Sequence, residues 1–240
     1  EPSVDQNVDA GVAFAKSDVF DTGIAGQSAQ KRYDKLSRSR EKKVREAHPR
    51  VGGLLLAIYD NPQTTRAWAQ GARGERLVGE RLDGLHATGV LTVHDRRVPR
   101  SRTNIDHIAI GPSGIFVIDA KHRDGGRIEL RRTGSIFNPG PSKLVVGGRN
   151  CNSLIDGMSK QVAAVRSALG DCVQDCSVPI IPMLAFVGID WSPFASPFFL
   201  RDVWVGIAKD MAKFVGRPGN LGDEDRQRLA DAIARKLKPA

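Results

Sequence analysis

The sequence predicts an α/β fold, in which a mixed central β-sheet is flanked by helices and preceded by a helical extension. Three observations predict it. Segments of helical and strand period follow in the order helix, three or more strands, helix, strand, a layered pattern and not a doubly wound repeat. The stretch "NIDHIAIGPSGIFVIDAKH", residues 104–122, reads as two strands joined at Gly111-Pro112-Ser113-Gly114. Ahead of this core, an acidic stretch gives way abruptly to a basic helical run.

The elements follow in order. Residues 1–25 hold five acids against Lys16 with little periodicity and are expected to form a disordered acidic tail. Residues 26–60 form a basic helical extension: nine basic residues between Lys31 and Arg50 face three acids, and Pro49 ends the helix. Two readings of that helix stay open, a plain solvated face and an arm along a phosphate backbone. The main domain is expected over 61–207. Asn61 caps its first helix, with Pro62 in the first turn, and the helix should run to about His86. Ala67, Gly71, Gly74, Val78, Leu82 and Leu85 recur at three- and four-residue steps and mark its packed face, with Glu75 at the edge. The small Gly71, Ala72 and Gly74 should let this helix approach the sheet closely.

Strands are expected at 90–97, 104–111, 115–121, 127–132 and 143–147. A helix over 152–169 buries Leu154, Met158, Val162, Val165 and Leu169, and Gln161 falls between them, an amide that needs partners if buried. Strands at 179–188 and 203–207 complete the domain. Residues 208–240 close the chain with helices near 208–215 and 222–237, packed on the core.

Composition narrows the function classes. A chain of 240 residues, 40% hydrophobic and 26% charged, suits a globular protein, and no apolar run approaches the roughly 20 residues of a membrane span. Residue 1 is Glu and not Met, so a processed or trimmed start is expected. The formal charge of +9 favours an acidic partner, nucleic acid ahead of an anionic membrane surface. Cys151, Cys172 and Cys176 make neither a disulfide framework nor a zinc pattern and fit idle thiols in a reducing cytoplasm. No HExxH, GxSxG, P-loop or GxGxxG pattern occurs.

The acids of the hairpin are its unusual feature. If the loop has an even length, paired residues have numbers summing to 225, and Asp106 then faces Asp119. The Cβ atoms of such a pair lie about 5 Å apart, and like charges there repel. Lys121 shares the Asp119 face and offsets the repulsion, and a divalent cation would offset it better. A three-residue loop would shift the register and separate the acids. A second alternative has both acids merely ending strands near solvent, paired with Arg102 or Arg123. His107 and His122 alternate to the opposite face.

The segments "GARGERLVGERL", "VPRSRTNIDHIAIGPSGIFVIDAKHRDGGRI" and "SKQVAAVRSAL" together resemble the nuclease-related domain (NERD) over roughly 62–190. The residues upstream are similar to an extension that some members carry. The resemblance implies the core of PD-(D/E)xK restriction-endonuclease-like nucleases and a metal-dependent hydrolysis of phosphodiester bonds, in DNA more than RNA. It implies Asp106 as the first metal-binding acid, Asp119 and Lys121 as the acid and lysine of D-x-K, Glu75 as the helix glutamate and Gln161 as the glutamine of the later helix. Mg²⁺ or Mn²⁺ would be held by Asp106 and Asp119, with the Ala120 carbonyl and Glu75 as further ligands. Members often carry Glu where this chain has Asp119, whose shorter arm changes its reach. Arg96, Arg97, Arg100, Arg102, Arg123 and Arg127 flank the hairpin and would grip the nucleic-acid backbone. The alternatives are an inactive nucleic-acid-binding module of the same fold and a protein-interaction domain.

Overall fold

In a computed structural model, residues 20–49, 56, 63–134, 139–170, 178–192 and 194–240 are described. Asn61, Pro62, Cys172 and Cys176 and the acidic stretch up to residue 19 lie outside them. Helix α1 (Gln27–Ala47) precedes α2 (Gln63–Asp83) and a short 3-10 turn at His86–Thr88. Strands β1 (Leu91–Arg97), β2 (Asn104–Gly111) and β3 (Gly114–His122) follow, then β4 (Ile128–Gly134), β5 (Pro139–Val146) and β6 (Arg149–Asn150). Helix α3 (Asn152–Leu169), β7 (Ile180–Val187), β8 (Phe198–Leu200) and β9 (Val203–Ile207) lead to α4 (Ala208–Val215) and α5 (Asp223–Lys236).

A six-stranded sheet runs in the order β1-β2-β3-β7-β9-β8. Its β1–β2–β3 part is an antiparallel meander, β3, β7 and β9 are parallel, and β8 returns antiparallel to β9. Strands β4, β5 and β6 form a separate small sheet between β3 and α3 in the chain. The predicted mixed α/β architecture is therefore the one observed. Strand β8, only three residues long, and strand β6 leave no periodic signal and were not expected.

Alternation along β3 sorts two cores. Ile115 and Val117 pack with Ile108, Ile110 and the α3 and α5 residues Met158, Val165, Leu229 and Ile233. Phe116, Ile118 and Ala120 pack with Ala109, the α2 residues Val78 and Leu82, and Met211 and Val215 of α4. Helices α2 and α4 thus cover one face, and α3 and α5 the other, which is the burial that a two-faced sheet with parallel strands requires.

The expected helix faces shift in detail. On α2, Ala72, Gly74, Val78, Gly79 and Leu82 are buried, while Ala67 is exposed and Leu85, beyond the helix end, is half-buried. Gly71 has open space around it, whereas a Cβ on Gly74 would lie 2.9 Å from the His122 Cβ. Gly74, and not Gly71, therefore sets the close approach of α2 to β3. On α3 the buried stripe comprises Ile155, Met158, Gln161, Ala164, Val165, Ala168 and Leu169, so Leu154 and Val162 lie at its edges.

Phe20 to Ala25, within the expected acidic tail, lie against β1. Phe20 packs on the core and His94 N donates to the Thr22 carbonyl at 2.7 Å. Helix α1 packs on α2, with Arg32 over the ring of Trp68 at 6.0 Å. Among the described residues no helix is long and apolar enough to cross a membrane.

Candidate active site

The turn between β2 and β3 has two residues, Pro112 and Ser113, and Gly111 pairs with Gly114. The even-loop register is the observed one: His107 pairs with Ile118 and Ile108 with Val117. The next pair in that series is Asp106 with Asp119. There the regular ladder stops, and the Ala120 N–H donates to Asp106 Oδ2 at 2.8 Å. A carboxylate oxygen replaces a main-chain acceptor, so the two strands part where the two acids meet.

Asp119 is buried and points, by alternation, to the α3 face together with Lys121, whose Nζ donates to Asp119 Oδ1. Asp106 is half-buried as a residue, but protein surrounds its carboxyl. Burial first, then Asp119 and Glu75, push its pKa well above the usual carboxylate value, with Lys121 opposing. Glu75 approaches from α2, on the other face, at the point where the strands part. Burial, then Asp95, push it up to about 7, while Lys121 opposes and Asp119 adds. For Lys121, burial disfavours the charge, yet Asp119, Asp106 and Glu75 outweigh it and hold the pKa above the usual lysine value. Four of the expected residues, Glu75, Asp106, Asp119 and Lys121, are thus one electrostatic unit.

Gln161 lies on α3, the helix covering the face to which Asp119 and Lys121 point. Its Oε1 is buried and has no hydrogen-bond partner among the described residues. An unsatisfied buried amide oxygen costs on the order of 1–3 kcal/mol, so a ligand atom or water at that position would relieve it. Ala120 is buried on β3, its N–H committed to Asp106.

A divalent cation fits this donor set in a restricted way. Among the described residues no group of three or more His, Cys, Asp or Glu side chains is gathered for a metal. One oxygen of each of the two carboxyls is committed, Asp106 Oδ2 to the Ala120 N–H and Asp119 Oδ1 to Lys121. Mg²⁺ commonly takes one or two carboxylates and completes its shell with water and phosphate oxygens, so the set is sufficient, and the cation would favour the ionised form of Asp106.

The arginines divide. Arg97, Arg100, Arg102, Arg123 and Arg127 are exposed around the hairpin. Arg96 is 0% exposed: it donates to the Asp21 carbonyl, and its Nη1 donates to the Leu237 carbonyl at 3.3 Å. It ties both ends of the described chain to β1 and is not available to a phosphate, which corrects the expectation for this residue.

His107 turns to the α2 face, its Nδ1 at 2.8 Å from His94 Nδ1, and His94 Nε2 lies 3.0 Å from Asp83. Burial, with His94 adding, lowers the His107 pKa well below the usual value, so it is a neutral packed imidazole. Neither histidine points toward the Asp119 face.

One neighbour of the acids escaped sequence reasoning. Asp95 is buried at a left-handed φ of 49° between His94, which pairs with His107, and Arg96, which pairs with Ile105. It therefore stands opposite Asp106, so Asp95, Asp106 and Asp119 occupy one row across three strands. Its signal was an acid inside the apolar–polar alternation of "LTVHDRR", but the β1–β2 connection gave no register with which to place it.

A mixed sheet covered by helices on both faces, with acids and a lysine where its central hairpin parts, defines an α/β protein of the restriction-endonuclease-like class. Residues 70–187 match the family model of the nuclease-related domain, NERD, and this part of the chain belongs to that family. Neither a curated protein nor a solved structure matches the chain.

Proposed function

We propose that the protein is a metal-dependent nuclease that hydrolyses phosphodiester bonds in DNA. The observation that carries this reading is the Asp106–Asp119 pair, set face to face beside Lys121 at the parting of β2 and β3. A fold gains no stability from two opposed buried acids, and a surface that only binds a polyanion has no use for them.

Asp106 and Asp119 would hold Mg²⁺ or Mn²⁺, with Glu75 and the Ala120 carbonyl as further candidate ligands. When bound, the cation supplies Lewis-acid charge to the phosphate and to water. The roles of the chain's own residues follow from their environments. Lys121 is held charged by the acids around it and so acts as a cation beside the phosphate, where it stabilises developing negative charge; it does not serve as a base. Gln161 offers its unpaired Oε1 to a water or hydroxyl donor on the same face. Glu75 adds negative charge at the pair and orients water. Arg97, Arg100, Arg102, Arg123 and Arg127 position the backbone of the nucleic acid.

The test is cleavage of plasmid and single-stranded DNA with Mg²⁺ or Mn²⁺ and with chelator, beside Asp119→Ala and Lys121→Ala. Cleavage that needs the cation and is lost in both variants is expected. Cleavage that survives chelator or both substitutions overturns the mechanism, and DNA binding without any cleavage favours a binding module of the same fold.

A further inference from the structure

Helix α1 lies upstream of the matched family segment, yet its first turn is built into the acid site. Gly26, at φ 72°, approaches α2 so closely that an added Cβ would sit 2.8 Å from the Ala72 carbonyl oxygen and 3.4 Å from the Glu75 Cβ. Ser28 is held by Asp95, the third acid of the row: its N–H donates to Asp95 Oδ2 at 2.6 Å and its hydroxyl to Oδ1 at 2.8 Å. Asn104 Nδ2 donates to the same Ser28 hydroxyl at 2.9 Å. Asp95 keeps a left-handed backbone that side chains rarely adopt, and the carboxylate that it aims at Ser28 is what this geometry secures.

From that anchor α1 runs antiparallel to α2, since Gly26 meets Glu75 while Arg32 meets Trp68. Ala29 faces inward and is buried, and Lys31, Lys35, Arg38, Lys42 and Arg45 are all exposed. Their steps of four, three, four and three residues place them within an arc of about 80° on the helix, over a length of about 21 Å. A helix that only needs solvation mixes signs along a face, because like charges at these steps repel. Glu41 pairs with Arg45 at 2.9 Å and Glu46 with Lys42 at 3.8 Å, both acids at the flanks of the ridge and in exposed contacts that a phosphate can replace.

The geometry points to α1 as a DNA-binding arm of the acid site: Asp95 fixes its start beside Glu75, and the Lys31–Arg45 ridge follows the phosphate backbone away from the point of cleavage. The inference rests on the nuclease reading for its substrate but not for its binding test. In that test, a fluorescent 20-bp DNA duplex is titrated in chelator from 50 to 200 mM salt (chosen test conditions, on the order of those in which phosphate contacts are read) with the full chain and with Lys35→Gln/Arg38→Gln/Lys42→Gln/Arg45→Gln. The steady-state cleavage constants of both are compared with Mg²⁺. Removing four phosphate contacts should lower the slope of log affinity against log salt by about 3–4. Affinity at the lowest salt should fall at least tenfold, and KM should rise while kcat stays within about twofold, because the ridge positions DNA and does not touch the reacting phosphate.

An unchanged slope and affinity in the quadruple variant overturns the arm. If the parent cuts DNA and the variant has the same KM and slope, the arm fails alone and the nuclease reading stands. Where the parent never cuts but shows a steep slope that the variant loses, the arm stands and hydrolysis fails. A parent without salt-dependent binding overturns both.

Discussion

Glu75→Gln should change how stability depends on pH, and by an amount that follows from the site. Burial and Asp95 raise the Glu75 pKa from 4.5 to about 7. Between those values the native state keeps a proton that the unfolded state has released, so stability falls as pH rises through this window. The full fall is about 2.5 units at 1.36 kcal/mol each, or about 3 kcal/mol, complete above about pH 7. Glutamine has nearly the same shape as the protonated side chain and no charge to lose, so the variant escapes that fall. Guanidinium unfolding of both proteins in chelator, from pH 4.5 to 8, reads the difference directly. The variant should gain about 3 kcal/mol relative to the parent over that range, a midpoint shift on the order of 1 M at the upper end. A difference that stays flat from pH 4.5 to 8 would show Glu75 titrating as an ordinary solvated carboxylate and refute its place against the acids.

Three further outcomes bear on separate parts of the structure. Mg²⁺ at a hundredfold excess over its dissociation constant should stabilise the parent by about 2.7 kcal/mol, seen as a rise of several degrees in Tm; Asp106→Asn/Asp119→Asn should not respond. Gly79→Ala would set a methyl 2.5 Å from the Ala25 Cβ and should cost about 1–3 kcal/mol in thermal unfolding, with protease cleavage near Ala25 enhanced. Arg96→Met should cost about 2–3 kcal/mol by freeing the bonds to Asp21 and Leu237 without altering the salt slope of DNA binding, whereas Arg102→Gln should weaken binding and leave stability unchanged.

The hairpin was the most legible part of the molecule: its strands and turn residues were plain, and its register was open only in the length of the turn, which the structure gives as two residues. Gly111 against Gly114 fixes Asp106 against Asp119, and alternation then places Lys121 with the acid and His107 away from it. Asp95 belongs to the same row, but six residues separate β1 from β2, and a connection of that length does not set a pairing. Arg96 and Arg97 look alike in sequence; what distinguishes them is Leu237, far along the chain, which covers one and not the other. The close approach of α2 was legible as a cluster of small residues, yet which glycine meets the sheet depends on helix rotation, and Gly74 was distinguished from Gly71 only by His122. The basic character of α1 was plain from composition, while its attachment at Ser28 depended on a strained aspartate that no local pattern marks.

The central claim is that the opposed Asp106 and Asp119, with Lys121, cut DNA with a divalent cation. Nicking of a supercoiled plasmid by the purified protein in Mn²⁺, run beside Asp119→Asn at equal DNA occupancy, tests it most directly. The expected result is nicking by the parent that stops with chelator and falls at least a hundredfold in the variant, with DNA binding retained. Equal nicking by parent and variant, or nicking indifferent to chelator, would contradict the account.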